Sequence, residues 1–155
     1  MTALGPVRAS VTVPVDAQRA FAIFTDGLAS WWPSEYTWSG AALELIAIDP
    51  REGGLCTEYG PHRFRCDWGR VLVHDPPDWL ALTWQIGPTR VPQPDPGQAS
   101  RIDVRFSQDG AVTAVALIHD GFERHGEGAE AYRDAMAADP GWPGLLRRYA
   151  EAAGA

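Results

Sequence analysis

Two hydrophobic rhythms divide the chain. Positions 8–13 (RASVTV) alternate β-branched with small or polar residues, the period-two pattern of a half-buried strand, and Pro14 closes it. Asp16 follows as a helix N-cap. Ala20, Phe21, Ile23 and Phe24 then repeat at helical spacing as far as Thr25, and Gly27 stops the helix. Leu28 to Trp32 reads as one more helical turn closed by Pro33. From Ala42 the period returns to two, and strands are predicted over 43–48, 55–59, 64–74, 79–86, 101–107 and 111–119. The breaks between them are Asp49 to Gly54, Gly60-Pro61-His62, Asp75-Pro76-Pro77-Asp78 and Gln108-Asp109-Gly110. The remaining break, Gly87 to Ala99, carries Pro88, Pro92, Pro94 and Pro96 and is long enough to serve as a rim or lid. Residues 127–138 read as a helix that Asp139-Pro140-Gly141 interrupts and Trp142-Pro143 restarts, with Leu145, Leu146 and Tyr149 as its buried stripe.

This order predicts an α+β fold in a single domain spanning 1–155: a curved antiparallel sheet, two short helices after its first strand, and a long C-terminal helix covering one face. A sheet broader than its covering helix leaves a cavity. Leu80, Leu82, Trp84 and Ile86 share one face and are expected to look toward it.

Composition removes several classes of function. With 45% apolar and 21% charged residues the chain is globular. No apolar run approaches the ~18 residues of a membrane span. Met1 to Pro6 does not read as a signal peptide, so a cytoplasmic protein with no membrane partner is expected. The net charge is −7 and all 13 basic residues are arginine. Such a surface repels a phosphate backbone, which argues against nucleic acid, and the lack of lysine excludes lysine Schiff-base chemistry. Cys56 and Cys66 would stand opposite each other in a hairpin centred near Pro61, so a cross-strand disulfide is conceivable, although reduced thiols are expected in cytoplasm. No zinc set, Ser-His-Asp arrangement or phosphate loop can be read, and neither a metal nor another cofactor is expected.

Several pieces occur in an order that resembles the START-like, or SRPBCC, superfamily with its helix-grip fold. They are Asp16 with Phe21 and Phe24, Trp31-Trp32-Pro33, Gly69-Arg70-Val71, and Pro76-Pro77 leading to Leu82-Thr83-Trp84. Then come His119-Asp120-Gly121-Phe122 and Gly141-Trp142-Pro143-Gly144-Leu145-Leu146. Within it the chain is similar to the bacterial proteins named after the activator of the heat-shock-protein-90 ATPase. ATPase activation is not implied, because the eukaryotic co-chaperone works through a separate N-terminal domain for which 155 residues leave no room. Trp31-Trp32-Pro33 and Phe122 to Gly126 also resemble the branch that confers self-resistance to enediyne antibiotics. The superfamily includes lipid carriers and polyketide cyclases, so the resemblance implies a fold more than a task.

Seven tryptophans in 155 residues are enough to wall a cavity with rigid, weakly polar surface. Trp84 is inward by strand phase and Trp68 is a candidate to face the same way; Trp31, Trp32 and Trp38 surround the way in. Tyr59, Phe64 and Phe122 lie at strand ends, as lids or plugs. Tyr132 and Met136, four apart on the gripping helix, face either core or cavity. His119 points inward, either as a hydrogen-bonded structural group or as a donor to a ligand carbonyl. His62 and His125 fall in turns and are expected to be solvated. With Thr57 facing Arg65 and Glu58 facing Phe64, the residues Glu58, Arg65 and Asp67 read as an exposed charged face.

The expectation is a non-catalytic protein that binds a small hydrophobic or aromatic molecule through burial of apolar surface, with 87–99 and 31–38 as gates. Antibiotic sequestration is one alternative. A polyketide cyclase or aromatase is another, and would need an inward carboxylate near His119. A protein-interaction module would instead have a solid interior and an exposed aromatic patch. The open strand edge leaves room for a homodimer.

Overall fold

Seven strands form one antiparallel sheet in the computed structural model, which describes residues 4–155; the signal-peptide reading rests partly on Met1 to Ala3, outside that range. The strands are β1 (Val7–Val13), β2 (Leu45–Ile48), β3 (Leu55–Gly60), β4 (Phe64–Asp75), β5 (Trp79–Trp84), β6 (Ser100–Asp109) and β7 (Val112–Asp120). Their order across the sheet is β1-β7-β6-β5-β4-β3-β2, so every neighbour from β2 to β7 is joined by a hairpin and only β1 returns from the far side. Helix α1 (Ala17–Phe24) opens with the Asp16 carboxylate accepting from the Arg19 amide at 2.8 Å. Three 3-10 turns fill 28–42, and the C-terminal helix is two segments, α2 (Ala129–Ala137) and α3 (Trp142–Ala152), bent at 138–141.

Alternation on β6 and β7 works as the sequence pattern predicts. Ile102, Val104 and Phe106 face inward, as do Val115, Leu117 and His119, and α3 lays Trp142, Leu145, Leu146 and Tyr149 against that face. The Tyr149 hydroxyl donates to the Ala20 carbonyl at 2.7 Å, tying α3 to α1 in the dry core.

The β3–β4 hairpin departs from the expected register. His62 and Arg63 both adopt left-handed backbone angles (φ 59° and 63°), and the Phe64 amide donates to the Pro61 carbonyl. That moves the turn toward the C-terminus, so Glu58 pairs with Cys66 and Tyr59 with Arg65. Beyond Thr57–Asp67 the register slips again, Cys56 pairs with Gly69, and Trp68 is left as the extra residue of a bulge. The two thiols are therefore not partners. Both are free, Cys56 buried and Cys66 half-buried.

Left-handed backbone at two non-glycine residues costs on the order of 1 kcal/mol each, and Asn-Gly is the pair that suits such a turn. The double substitution H62N/R63G is expected to raise stability by about 1 kcal/mol, read as a higher urea midpoint at constant slope. An unchanged or lower midpoint would contradict it.

Candidate functional site

A cavity of about 420 Å³ lies between the β2–β5 side of the sheet and the bend of the C-terminal helices. That is within the range of small-molecule sites. The sheet contributes Ile46, Glu58, Trp68 and Trp84, one residue from each of four adjacent strands. The 3-10 segment contributes Trp32, Glu35, Tyr36, Thr37 and Trp38, and the Pro-rich side adds Ile86 and Arg90. Met136, Pro140, Gly141 and Leu145 form the helical wall.

Trp84 is held by two bonds in series: its indole N–H donates to the Tyr132 hydroxyl at 2.6 Å, which donates to the Ile86 carbonyl at 2.9 Å. Trp68 lies two residues along β4 from Cys66, the partner of inward Glu58, and it packs edge-on to Trp84 with centroids 5.8 Å apart. Trp32 meets Trp68, Trp84 and Trp142 at 6.1 to 6.4 Å. The indoles thus touch one another and still leave open space beside them. Trp38 ties the 3-10 segment to the Pro-rich loop by donating its indole N–H to the Arg90 carbonyl at 2.7 Å. Outside, the Glu35 carboxylate meets Arg148 of α3 at 3.1 Å.

Glu58 was expected on an exposed charged face and is instead only 1% exposed. Its face of β3 is the inner one, and a two-residue shift of register leaves that face unchanged. Its Oε1 accepts from the Trp38 amide at 3.1 Å, and its Oε2 accepts from the Ser39 amide at 2.8 Å and the Ser39 hydroxyl at 2.7 Å. Arg65 and Asp67 do lie on the outer face, paired at 3.3 Å. Sequence phase holds one clue to Glu58: it lies two residues from Cys56 and two from Gly60, both buried.

Behind the aromatic wall runs a buried polar chain. The Trp142 indole can only donate, so His119 Nδ1 accepts at 2.9 Å and the proton sits on Nε2. That proton goes to Ser100 Oγ at 2.7 Å, whose hydroxyl donates to His125 Nε2 at 2.7 Å. His125 is therefore half-buried rather than solvated, because Ser100 holds it. Burial pushes His119 well below its usual pKa, with His125 nearby adding to the shift; burial also lowers His125. Burial raises both thiols, with Asp67 and Asp49 adding at Cys56 and Glu58 and Asp67 adding at Cys66, so neither is poised as a nucleophile.

Of the residues singled out from sequence, Trp32, Trp38, Trp68, Trp84 and Met136 line the cavity. Trp31 packs between Phe24 and Tyr149. His119, Phe122 and Tyr132 form the layer behind Trp84. Tyr59 and Phe64 are 37% and 39% exposed, with Arg65 over the Tyr59 ring. Ile86 lines it too, in phase with Trp84 as expected, whereas Glu58 and Arg90 are lining residues outside that set. Among the described residues, no group of three or more His, Cys, Asp or Glu could hold a metal ion, and no helix is long and apolar enough to cross a membrane.

A curled antiparallel sheet closed by a bent C-terminal helix defines an α+β helix-grip protein of the SRPBCC superfamily. Residues 14–154 match the family described as Activator of Hsp90 ATPase homolog 1-like protein, and the chain belongs to that family. Among solved structures, the anthrahydroquino-γ-pyrone synthase Txn09 is 34% identical, with 97% of this chain and 99% of that one covered and a TM-score of 0.68. The self-sacrificing resistance protein CalC from Micromonospora echinospora is 26% identical over 96% and 94%, TM-score 0.64. Protein NE0264 from Nitrosomonas europaea shares the fold at 13% identity over 96% and 93%, TM-score 0.66. No curated protein sequence matches the chain.

Proposed function

We propose that the protein binds a planar polycyclic aromatic molecule, of the kind made by polyketide assembly, in the cavity between sheet and helix. The observation that carries this is the wall itself: Trp32, Trp38, Trp68 and Trp84 around about 420 Å³ of space. Flat, rigid indoles suit a flat ligand, and each ~100 Å² of apolar ligand surface removed from water favours binding by ~2.5 kcal/mol before association entropy is subtracted. Likeness to a pyrone synthase and to an antibiotic resistance protein supports the same ligand class.

The test is calorimetric titration with anthraquinone, followed in parallel by tryptophan emission. Saturable binding with Kd on the order of 10 µM is expected. Ala135→Trp, which places an indole at the exposed rim of the cavity, should weaken it at least tenfold without lowering Tm. Binding that is absent, or indifferent to that substitution, would refute the reading.

A second reading, ring closure of a bound polyketide, is favoured by the buried Glu58 carboxylate in the cavity wall. His119 gives it no support, since both its ring nitrogens are engaged with Trp142 and Ser100. Conversion of a linear poly-β-ketone thioester mimic, followed by mass spectrometry, separates the two.

A further inference from the structure

Building on that reading, we infer that the cavity selects aromatic ketones bearing a free hydroxyl: Glu58 accepts from the hydroxyl, and Trp68 donates its indole N–H to the carbonyl. Glu58 lines the cavity at 1% exposure, and a buried carboxylate needs compensation. Among the described residues no ion pair supplies it. Three donors do, all from Trp38 and Ser39. A carboxylate has room for about four. Two of the three sit on Oε2, so Oε1, with only the 3.1 Å Trp38 amide, keeps an acceptor position that the protein leaves unused.

Trp68 supplies the complementary half. Five indoles have protein acceptors: Trp31 on the Ile23 carbonyl, Trp38 on Arg90, Trp79 on Asp103, Trp84 on Tyr132 and Trp142 on His119. The Trp68 ring is 4% exposed, and its Nε1–H is buried with no partner at all. An unpaired buried donor costs stability until something accepts from it. Cys66 pairs directly with Glu58, and Trp68 lies two residues further along β4, at the bulge, so acceptor and donor come from adjacent strands. Both side chains line the same cavity, so one fused aromatic ring system can lie against both. The pair therefore reads one donor and one acceptor on the same flat molecule. Apolar walls alone would not discriminate in this way.

Three probes of nearly equal shape separate these roles. 2-Hydroxyanthraquinone offers donor and acceptor, 2-methoxyanthraquinone lacks the donor, and 2-hydroxyanthracene lacks the carbonyl. By calorimetry on the intact chain, the first should bind about 10- to 100-fold tighter than the methoxy compound, the range of a hydrogen bond to a charged group. It should bind severalfold tighter than the hydroxyanthracene. Glu58→Gln should abolish the preference over the ether, and Trp68→Phe the preference over the hydroxyanthracene. A purely structural role for Glu58, holding 38–39 in place, would weaken all three probes equally. Equal affinities in the unaltered protein, or preferences that survive the substitutions, overturn the inference while leaving an aromatic cavity intact. Failure of all three probes to bind removes the cavity reading with it.

Discussion

Acidification from pH 6.5 to pH 5 is expected to destabilise the fold by up to about 2 kcal/mol, mostly through His119. Its pKa in the folded protein lies well below the ordinary 6.5, first because it is buried and second because His125 is close. The unfolded chain therefore takes up a proton below pH 6.5 that the folded chain refuses. The stabilisation is complete above that pH and is lost as the pH falls, with a limiting slope of ~1.4 kcal/mol per unit. His125 shifts in the same direction, but its half-exposed ring is screened by solvent and adds less. Bonding geometry makes the same demand as burial. A protonated His119 would carry a hydrogen on Nδ1 that faces the Trp142 indole donor 2.9 Å away, exchanging a bond for a repulsion. Urea midpoints at pH 7.5, 6.5, 5.5 and 5 would record the loss. His119→Gln, whose amide can still accept from Trp142 and donate to Ser100, should flatten the profile. A midpoint unchanged down to pH 5 would mean that the Trp142–His119–Ser100 chain is not formed as described.

The architecture was legible because its signals are local. Alternation marks β6 and β7, Asp16 caps α1, and Asp139-Pro140-Gly141 bends the C-terminal helix, each read within a few residues of itself. The cavity was legible only as far as strand phase could carry it. Trp84 follows from Leu80 and Leu82 by counting in twos. Trp68 does not, because the bulge breaks the count on β4 so that it and Val71, three positions on, are both buried, and the Gly69 beside it was the available hint. Glu58 was hidden by its charge, which reads as solvated whichever face it occupies. Nothing in Pro61-His62-Arg63 announces left-handed backbone at two residues that both carry Cβ atoms, and centring the hairpin on Pro61 set the β3–β4 pairings two residues out near the turn and three beyond the bulge. Even the correct register would not have shown its donors, since Trp38 and Ser39 approach it from a segment some 20 positions away in sequence. Tyr59 and Phe64 illustrate the converse. Aromatic residues near a loop look like lids in one dimension, yet in three the hairpin tip carries them away from the space they would cover.

Gly141→Ala should lower Tm by about 10 °C, the largest effect expected of a single methyl group in this chain. The bend between α2 and α3 brings backbone against backbone. A Cβ on residue 141 would collide with the Met136 carbonyl oxygen, and it would lie 2.6 Å from the Met136 carbonyl carbon and 2.7 Å from the Ala135 carbonyl oxygen. None of these atoms can swing aside as a side-chain end could. The Gly141 amide also donates to the Ala138 carbonyl at 2.9 Å, and its own carbonyl accepts from Leu145 at 3.0 Å, so both sides of the bend are pinned. Relief requires α3 to move away from α2, which drags Trp142 from His119 and Leu145 from the cavity wall. About 3 kcal/mol, the upper end for overpacking, is the expected cost, and on a domain of this size it corresponds to roughly 6–12 °C. Gly5→Ala is the matched control, because its Cβ would meet only an Arg133 guanidinium nitrogen at 3.8 Å; its effect should stay within about 0.5 kcal/mol. Binding reports the same movement independently. Since Met136, Pro140, Gly141 and Leu145 form the helical wall, Gly141→Ala should weaken 2-hydroxyanthraquinone and its methyl ether by the same factor, a change of cavity shape that leaves Glu58 and Trp68 to discriminate as before. A Tm within 2 °C of the parent would mean that the helical bend accommodates a side chain and that the close approach at residue 141 does not set the angle between α2 and α3.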